Sequence, residues 1–378
     1  MLVRLPRVLL LSLGIGLAGC GGESGAGGGP DGGSDGASDG IPDAPPAVPP
    51  YDFAAAAPWY ECPSEEFPEG AIVVTAMDQV DHFITFGASG VDQRDMWADV
   101  EFPKAGDFAQ VGMWFDLECP ETGLCDHWDR YGSVQLVLNP NDAQPDWRYV
   151  ELARHVTPYS IEMCQYIDVT PMADLLAGSQ KIHSFIDTWV GPGHANGDGW
   201  RVTIRFVFYP GPRAQPDQVI PIWGKRHITV GNTDPGANVD FQIDPVTVSI
   251  PADATRIEAH MMTTGHGFGF SGNCAEFCEM RQDVIVNGAI HSVNPWRSDC
   301  ADNPVSPQYG TWQYDRNGWC PGAIAVGDIV DITESVDVGQ DNDIDFDIRT
   351  ALGDEYGDVS GASGDPYEVI SLKLYVYE

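Results

Sequence analysis

Positive charge is what this chain has least of. Its 378 residues carry 19 Lys and Arg against 56 Asp and Glu, a formal net charge of −37. So negative a molecule repels phosphate backbones and anionic headgroups, which argues against nucleic acid as a partner. The plainer consequence is solubility. Long apolar runs are missing too: beyond residue 20 no segment offers the ~20 consecutive apolar residues that a membrane-spanning helix needs. The nine histidines include no His-His or His-x-His pair, so the paired-imidazole sites of many redox metals have no obvious home. A cysteine nucleophile has no support either, because the cysteines are accounted for by lipid or by pairing.

What is present begins with a targeting segment. Arg4 and Arg7 form a charged start, Val8 to Leu17 a short apolar stretch, and Leu17-Ala18-Gly19-Cys20 is similar to a bacterial lipobox. That resemblance implies cleavage before Cys20 and its acylation, with a lipid anchor at the cell envelope. Gly21 rather than an acid follows, which leans towards the outer membrane. Residues 21–65 are mostly Gly, Ser, Asp, Ala and Pro, too poor in apolar surface to pack. They read as a tether with a reach on the order of 40 Å. The rest is too long for one ordinary core. A Pro-rich stretch at 210–221, YPGPRAQPDQVIP with its flanks, divides it into 66–215 and 216–378.

Nine cysteines leave eight once Cys20 is set aside, an even number in an exported chain. Cys119–Cys125 and Cys274–Cys278 are close in sequence, and Cys300–Cys320 encloses a Pro/Gly-rich loop. Cys62 and Cys164 then pair by elimination. Zinc on Cys274 and Cys278 is the weaker alternative, since no second ligand pair of suitable spacing follows.

Strand patterns dominate. Val111–Leu117, Ser133–Leu138, Lys181–Asp187, Val202–Phe208, Arg256–Met262, Asp343–Ile348 and Val369–Tyr377 are β-branched, aromatic or alternating runs between turn-forming clusters. Asp343, Asp345 and Asp347 alternate with Ile344, Phe346 and Ile348, one wet face and one apolar face. A calcium loop is the sharper reading, but the glycine and terminal glutamate it needs are missing. One short helix is predicted, capped by Thr170, entered at Pro171, carried by Ala173–Ala177 and stopped by Gly178. The fold class is all-β, as antiparallel sandwiches or jelly rolls.

Two short stretches carry the chemistry. CPETGLCDHWDR, 119–130, sets Asp126 and Asp129 about Trp128, with Arg130 next. CAEFC, 274–278, holds Glu276 in a very tight loop. Two rigidly supported carboxylates with aromatic neighbours suit water-driven hydrolysis of a sugar-bearing substrate. Alone, either stretch could be an ordinary surface loop with its acid paired to an arginine.

Together with ELARHVTPY at 151–159, IDVT at 167–170, IDTW at 186–189, NP at 303–304 and DRNGWCPG at 315–322, these motifs make the chain resemble the peptide-N-glycosidase F family from about residue 75 to the end. The resemblance implies two side-by-side antiparallel jelly-roll domains with a cleft between them. It implies hydrolysis of the side-chain amide joining asparagine to N-acetylglucosamine, in N-glycosylated proteins or peptides, by a monomer that needs no metal or other cofactor. By the same resemblance Asp129, Glu276 and Asp187 are the catalytic acids, and Asp126, Trp128, Arg130, Trp189, Arg316 and Trp319 bind substrate. The chain departs from the family pattern in three places. Asp187 stands where the family has glutamate, a carboxylate drawn back by one methylene. His127 stands where it has an acid. TTGHGFGF at 263–270 lacks a cleft tryptophan, for which Phe268 or Phe270 would have to substitute.

Two other readings compete. A copper monooxygenase of related fold would use His260, Met261, Met262 and His266, with further histidines among His127, His155, His183 and His194. A non-catalytic glycan-binding lipoprotein would need the aromatics but not two acids and two arginines.

Overall fold

The computed structural model describes residues 62, 67, 69–121, 123–230, 239–267, 275–353 and 366–378. Cys20, the stretch 21–61, Phe268, Phe270 and Cys274 lie outside the described residues.

The first half supplies eight strands: β1 (Ile72–His82), β2 (Asp95–Glu101), β3 (Phe108–Glu118), β4 (Tyr131–Val137), β5 (Tyr149–Val156), β6 (Met163–Asp168), β7 (Ser179–Ile186) and β8 (Trp200–Pro210). They form two antiparallel sheets, β1-β8-β3-β6 and β5-β4-β7-β2. Between them lie Phe115, Phe206, Phe208, Trp200 and Leu136, all fully buried. Each such side chain contributes roughly 1.5–3 kcal/mol relative to exposure. Along β7 the alternation is plain: Ile182, Ser184 and Ile186 point into this core.

The second half supplies β9 (Gln218–Thr229), β10 (Val246–Ser249), β11 (Arg256–His266), β12 (Met280–Val286), β13 (Ala289–Val293), β14 (Trp296–Arg297), β15 (Arg316–Asn317), β16 (Ala323–Ala325), β17 (Asp328–Asp331), β18 (Asp341–Thr350) and β19 (Tyr367–Tyr377). Its sheets are β17-β11-β19-β9 and β10-β18-β12-β13, packed about a separate core. In β18 the apolar residues Ile344, Phe346 and Ile348 are buried while the aspartates between them face outward. Asp343 accepts from Thr247 Oγ1 at 2.9 Å and Asp347 pairs with Arg349. The molecule is thus two antiparallel sandwiches of jelly-roll class.

Each sandwich reaches into the other. Strand β16 leaves the second half to pair with β5, Ala323 opposite Val156 and Ala325 opposite Arg154. From β5, Glu151 and Arg154 form a fully buried ion pair, Arg154 Nη2 to Glu151 Oε2 at 2.6 Å. Arg154 also donates to the Val369 carbonyl and to Thr264 Oγ1, while Ser371 Oγ and Lys373 Nζ donate to Glu151. Buried charges are tolerable when every donor and acceptor is used in this way.

Two local readings need correction. The helix expected from Thr170 is only a 3-10 turn, Thr170–Met172. Thr170 is drawn aside: its amide and hydroxyl both donate to Asp168, and its oxygen accepts from the Val111 amide. A threonine tied to a strand cannot cap a helix, and Gly178 at φ +63° turns the chain directly into β7. The Pro-rich stretch is also shorter than it looks, since β8 ends at Pro210 and β9 begins at Gln218. Pro221 therefore lies inside a strand.

Among the described residues three disulfides join both partners: Cys62–Cys164, Cys119–Cys125 and Cys300–Cys320. They fit an exported protein. Cys278 is disulfide-bonded as well.

Candidate active site

The Cys119–Cys125 clip delivers the chain into a tight turn whose hub is Asp126. That side chain is fully buried. It accepts from the Trp128 amide at 3.1 Å, Arg130 Nε at 2.6 Å and Thr188 Oγ1 at 2.8 Å. Asp126, expected from sequence to bind substrate, thus has both oxygens occupied by its own neighbours. It sets the direction of Trp128 and Arg130 and ties this turn to the segment carrying Asp187 and Trp189.

The same turn presents Asp129. Its Oδ2 accepts from the Tyr159 hydroxyl at 2.6 Å and lies 3.6 Å from Arg316 Nη2. From the second sandwich, Glu276 Oε1 accepts from Arg316 Nε at 3.1 Å. One guanidinium therefore spans both acids. Arg316 is itself fully buried, and its Nη1 donates to the carbonyls of Thr311 and Tyr314, each at 2.9 Å. Its Nη2 donates to Thr311 Oγ1 at 2.9 Å. The rings of Phe277 and Trp319 flank it at 4.8 and 4.7 Å. Arg316, expected from sequence to touch substrate, has no exposed surface here and braces the two acids.

Gly318 permits this brace. At φ +83° it takes a conformation that L side chains avoid, and a Cβ there would lie 2.1 Å from the Thr263 carbonyl oxygen. The close crossing swings Trp319 back so that its Nε1 donates to the Gly265 carbonyl at 2.7 Å. Trp319 is buried, stacked on His266, which stacks in turn on Tyr367.

Between the acids lies a small cavity of about 170 Å³. Asp129, Arg130, Asp187, Glu276, Trp319 and Tyr367 contribute to its lining. Asp187 is partly exposed and lies 3.4 Å from Arg94 Nη1. Arg94 also covers the Trp189 ring at 4.7 Å, and that ring is 47% exposed. Trp128, 52% exposed, opens on a neighbouring hollow of about 570 Å³ with Leu124, His127, Tyr159 and Tyr309. The two exposed tryptophans can take the apolar C–H faces of sugar rings.

Burial pushes the Glu276 carboxyl up to about 7; the nearby Asp129 charge adds to this, and Arg316 pulls back. Burial likewise raises Asp129, against the hydrogen bond from Tyr159 and the charge of Arg316. Two acids held up by burial at one desolvated site can divide the roles of proton donor and proton acceptor, as a general acid and base require.

The histidines and methionines named for copper are not so placed. His260 Nδ1 bonds the Tyr375 hydroxyl and Nε2 the Val326 carbonyl, each at 2.8 Å, so neither ring nitrogen is available. Met261 and Met262 are core residues.

Fold and site define a class: a two-sandwich β protein with paired carboxylates between its halves. Comparison with known proteins names the family it resembles. Residues 237–359 match the family model described as peptide-N-glycosidase F, C terminal. The chain is 26% identical over 278 residues to the peptide-N(4)-(N-acetyl-beta-D-glucosaminyl)asparagine amidase F of Elizabethkingia miricola, covering 69% of this chain and 72% of that one. Its fold matches the solved structure of a recombinant peptide: N-glycanase F with TM-score 0.64 and 20% identity, over 82% of this chain and 96% of the other. PNGase F from Flavobacterium meningosepticum matches with TM-score 0.63 and 21% identity, over 82% and 96%. A structure of PNGF-II matches with TM-score 0.62 and 16% identity, over 82% of this chain and 65% of that one.

Tyr159, Thr311, Arg94 and Tyr367 carry no motif that marks them as site residues, and His266 stood out only as a candidate copper ligand. Tyr159 closes the ELARHVTPY motif, a visible signal without a visible role. His266 and Tyr367 reach the cavity from β11 and β19, while Arg94 and Thr311 meet it only through Asp187 and Arg316.

Proposed function

We propose that this chain hydrolyses the side-chain amide between asparagine and N-acetylglucosamine in N-glycosylated proteins or peptides. The observation that carries the reading is the single buried guanidinium of Arg316, which holds Asp129 of one sandwich and Glu276 of the other at one cavity. In this reading ionised Asp129 takes a proton from water as its oxygen attacks the amide carbon. Protonated Glu276 delivers its proton to the amide nitrogen. The C–N bond breaks, asparagine becomes aspartate, and the glycan leaves as a glycosylamine. Exchange of one proton with solvent restores the pair. Asp187, with Arg94 beside it, and the exposed Trp128 and Trp189 would hold the sugars.

The test is incubation of the purified chain with an N-glycopeptide. The expected result is free glycan together with Asn-to-Asp conversion by mass. Glycopeptide that stays intact overturns the assignment. One feature favours a second reading, a glycan-binding protein without activity: Asp187, already shortened, is drawn to Arg94 at 3.4 Å. Binding without release would select it.

The remaining assignments belong to the same proposal. Residues 1–20 are a signal, 21–65 a tether, and 66–215 and 216–378 the two sandwiches, with β16 crossing back to the first. The protein acts as a monomer, anchored through lipid on Cys20 at the bacterial envelope.

A further inference from the structure

A second hollow, of about 440 Å³, opens between strand β9 and the outer face of the sheet β5-β4-β7-β2. Its walls concentrate the charge this molecule has least of. Ten of the described arginines are paired with carboxylates. Arg148, Lys225 and Arg226 are not, among the described residues, and all three line this hollow. The one carboxylate that lines it, Asp95, is engaged by His183 Nε2 at 2.8 Å.

Lys225 is the most telling of the three. Its Nζ lies 3.8 Å from the Phe185 ring centroid and 5.1 Å from that of Tyr131, with no hydrogen-bond acceptor among the described residues. An ammonium has three donors to place. Burial pushes this one down to about 8, the direction expected of a cation that lacks a counter-ion. The opposite wall supplies the rings of Trp147 and Tyr149, surfaces suited to the apolar face of a sugar.

The hollow is also connected to the amide site. His183, Phe185 and Asp187 alternate with the inward residues Ile182, Ser184 and Ile186, so they share the outer face of the sheet. Four residues of extended chain span roughly 13 Å, the scale of a short oligosaccharide. Lys225 sits over Phe185, midway. Tyr131, against which it also packs, lines the cavity of Asp129 and Glu276.

We propose that this hollow binds an acidic sugar, bearing a carboxylate or a sulfate, in the outer part of the same glycan whose asparagine linkage lies at Asp129. The inference rests on the amidase reading for the identity of that glycan, but the charge and shape of the hollow are independent of it.

Binding of free sugars tests it, because none of them has an amide to cleave. Titrate the purified full chain at low salt with 3′-sialyllactose, with lactose 3′-sulfate and with neutral lactose. At least one acidic sugar should bind ~10-fold or more tightly than lactose, with an advantage that fades as salt is added. Preference for one acid over the other identifies which group the hollow takes. The advantage should vanish in Lys225→Gln and in the exposed double variant Arg148→Gln/Arg226→Gln, return in Lys225→Arg, and persist in Asp129→Asn. Equal binding of all three sugars overturns the proposal. So does a preference that survives both charge-removing variants, or one lost in Asp129→Asn. Failure of glycan release would leave this binding intact, and absence of binding would leave release intact, so the two readings fail separately.

Discussion

Arg316 and Tyr159 fix what each acid at the cleft can do. The Tyr159 hydroxyl donates a hydrogen bond to Asp129, and Arg316 lies against both carboxylates, yet burial still raises the pair. Asp129→Asn should therefore lower glycan release ~100- to 10,000-fold, the usual contribution of a positioned acid or base, with the circular dichroism of the fold unchanged. Near-normal turnover would remove Asp129 from the mechanism. Tyr159→Phe should cost about 1.5–3 kcal/mol of that function, the range for a hydrogen bond to a charged group. It should also shift the acid side of the pH profile upward, since the Tyr159 bond favours ionised Asp129.

Glu276 sets the other side of that profile. Its proton, ordinarily lost near 4.5, is held to about 7 in the folded chain. As the proton donor it is competent below that value, so release should decline as pH rises through about 7. Glu276→Gln should slow release and abolish that decline; an unchanged alkaline limb would show that another group produces it. The sign for stability is the same. The folded state binds a proton that the unfolded chain has lost, so this group's contribution is most favourable below 4.5 and falls as pH rises towards 7.

At the scale of elements, the seven runs read from alternation overlap β3, β4, β7, β8, β11, β18 and β19. Where one face is apolar and the other wet, periodicity is enough. Strand β5 escaped because its sequence, YVELARHV, places Glu151, Arg154 and His155 inside the protein. Charges are ordinarily a sign of exposure, but contact with β11 and β19 makes Glu151 and Arg154 interior, and His155 packs on Phe115 of β3. Strand β9 escaped because Pro221 read as punctuation, whereas the sheet accommodates it at a register irregularity in the pairing with β19. The site shows the same division. Asp129 and Glu276 stood out by their motifs, but Asp126 and Arg316 looked like ligand contacts and are fully buried among neighbours that they hold in place.

The β5 network should then behave as a unit that joins the sandwiches. Burial alone would raise Glu151, but Arg154 overcomes it and holds the carboxyl below 4.5. Arg154→Met leaves that charge buried beside weaker partners and should cost about 3–5 kcal/mol in denaturant unfolding. Adding Glu151→Gln should recover part of the loss, because the orphaned charge goes with it. If the double variant is as unstable as the sum of the singles, the pair does not act as one unit. Because the folded pKa is depressed, the stabilisation by Glu151 is present above 4.5 and is lost as pH falls through the folded value.

At the scale of the molecule, charge and anchor pull against each other. A chain of net charge −37 is repelled by anionic headgroups, so no electrostatic attraction would hold it at an envelope. In the proposed reading, attachment comes from acyl groups on Cys20. A single chain gives only marginal binding, while the two or three that lipoprotein processing supplies hold stably. If residues 21–65 serve as the proposed tether, a coil of that length would reach on the order of 40 Å, enough to keep the paired acids clear of the surface and open to large glycoproteins. Cys20→Ser removes the acceptor and leaves the rest of the chain as it was. In cell fractionation that variant should move to the soluble fractions or remain unprocessed, while the soluble form keeps its rate on a short glycopeptide. Membrane association that survives the substitution would rule out the lipid, and with this charge it would require a protein partner in its place.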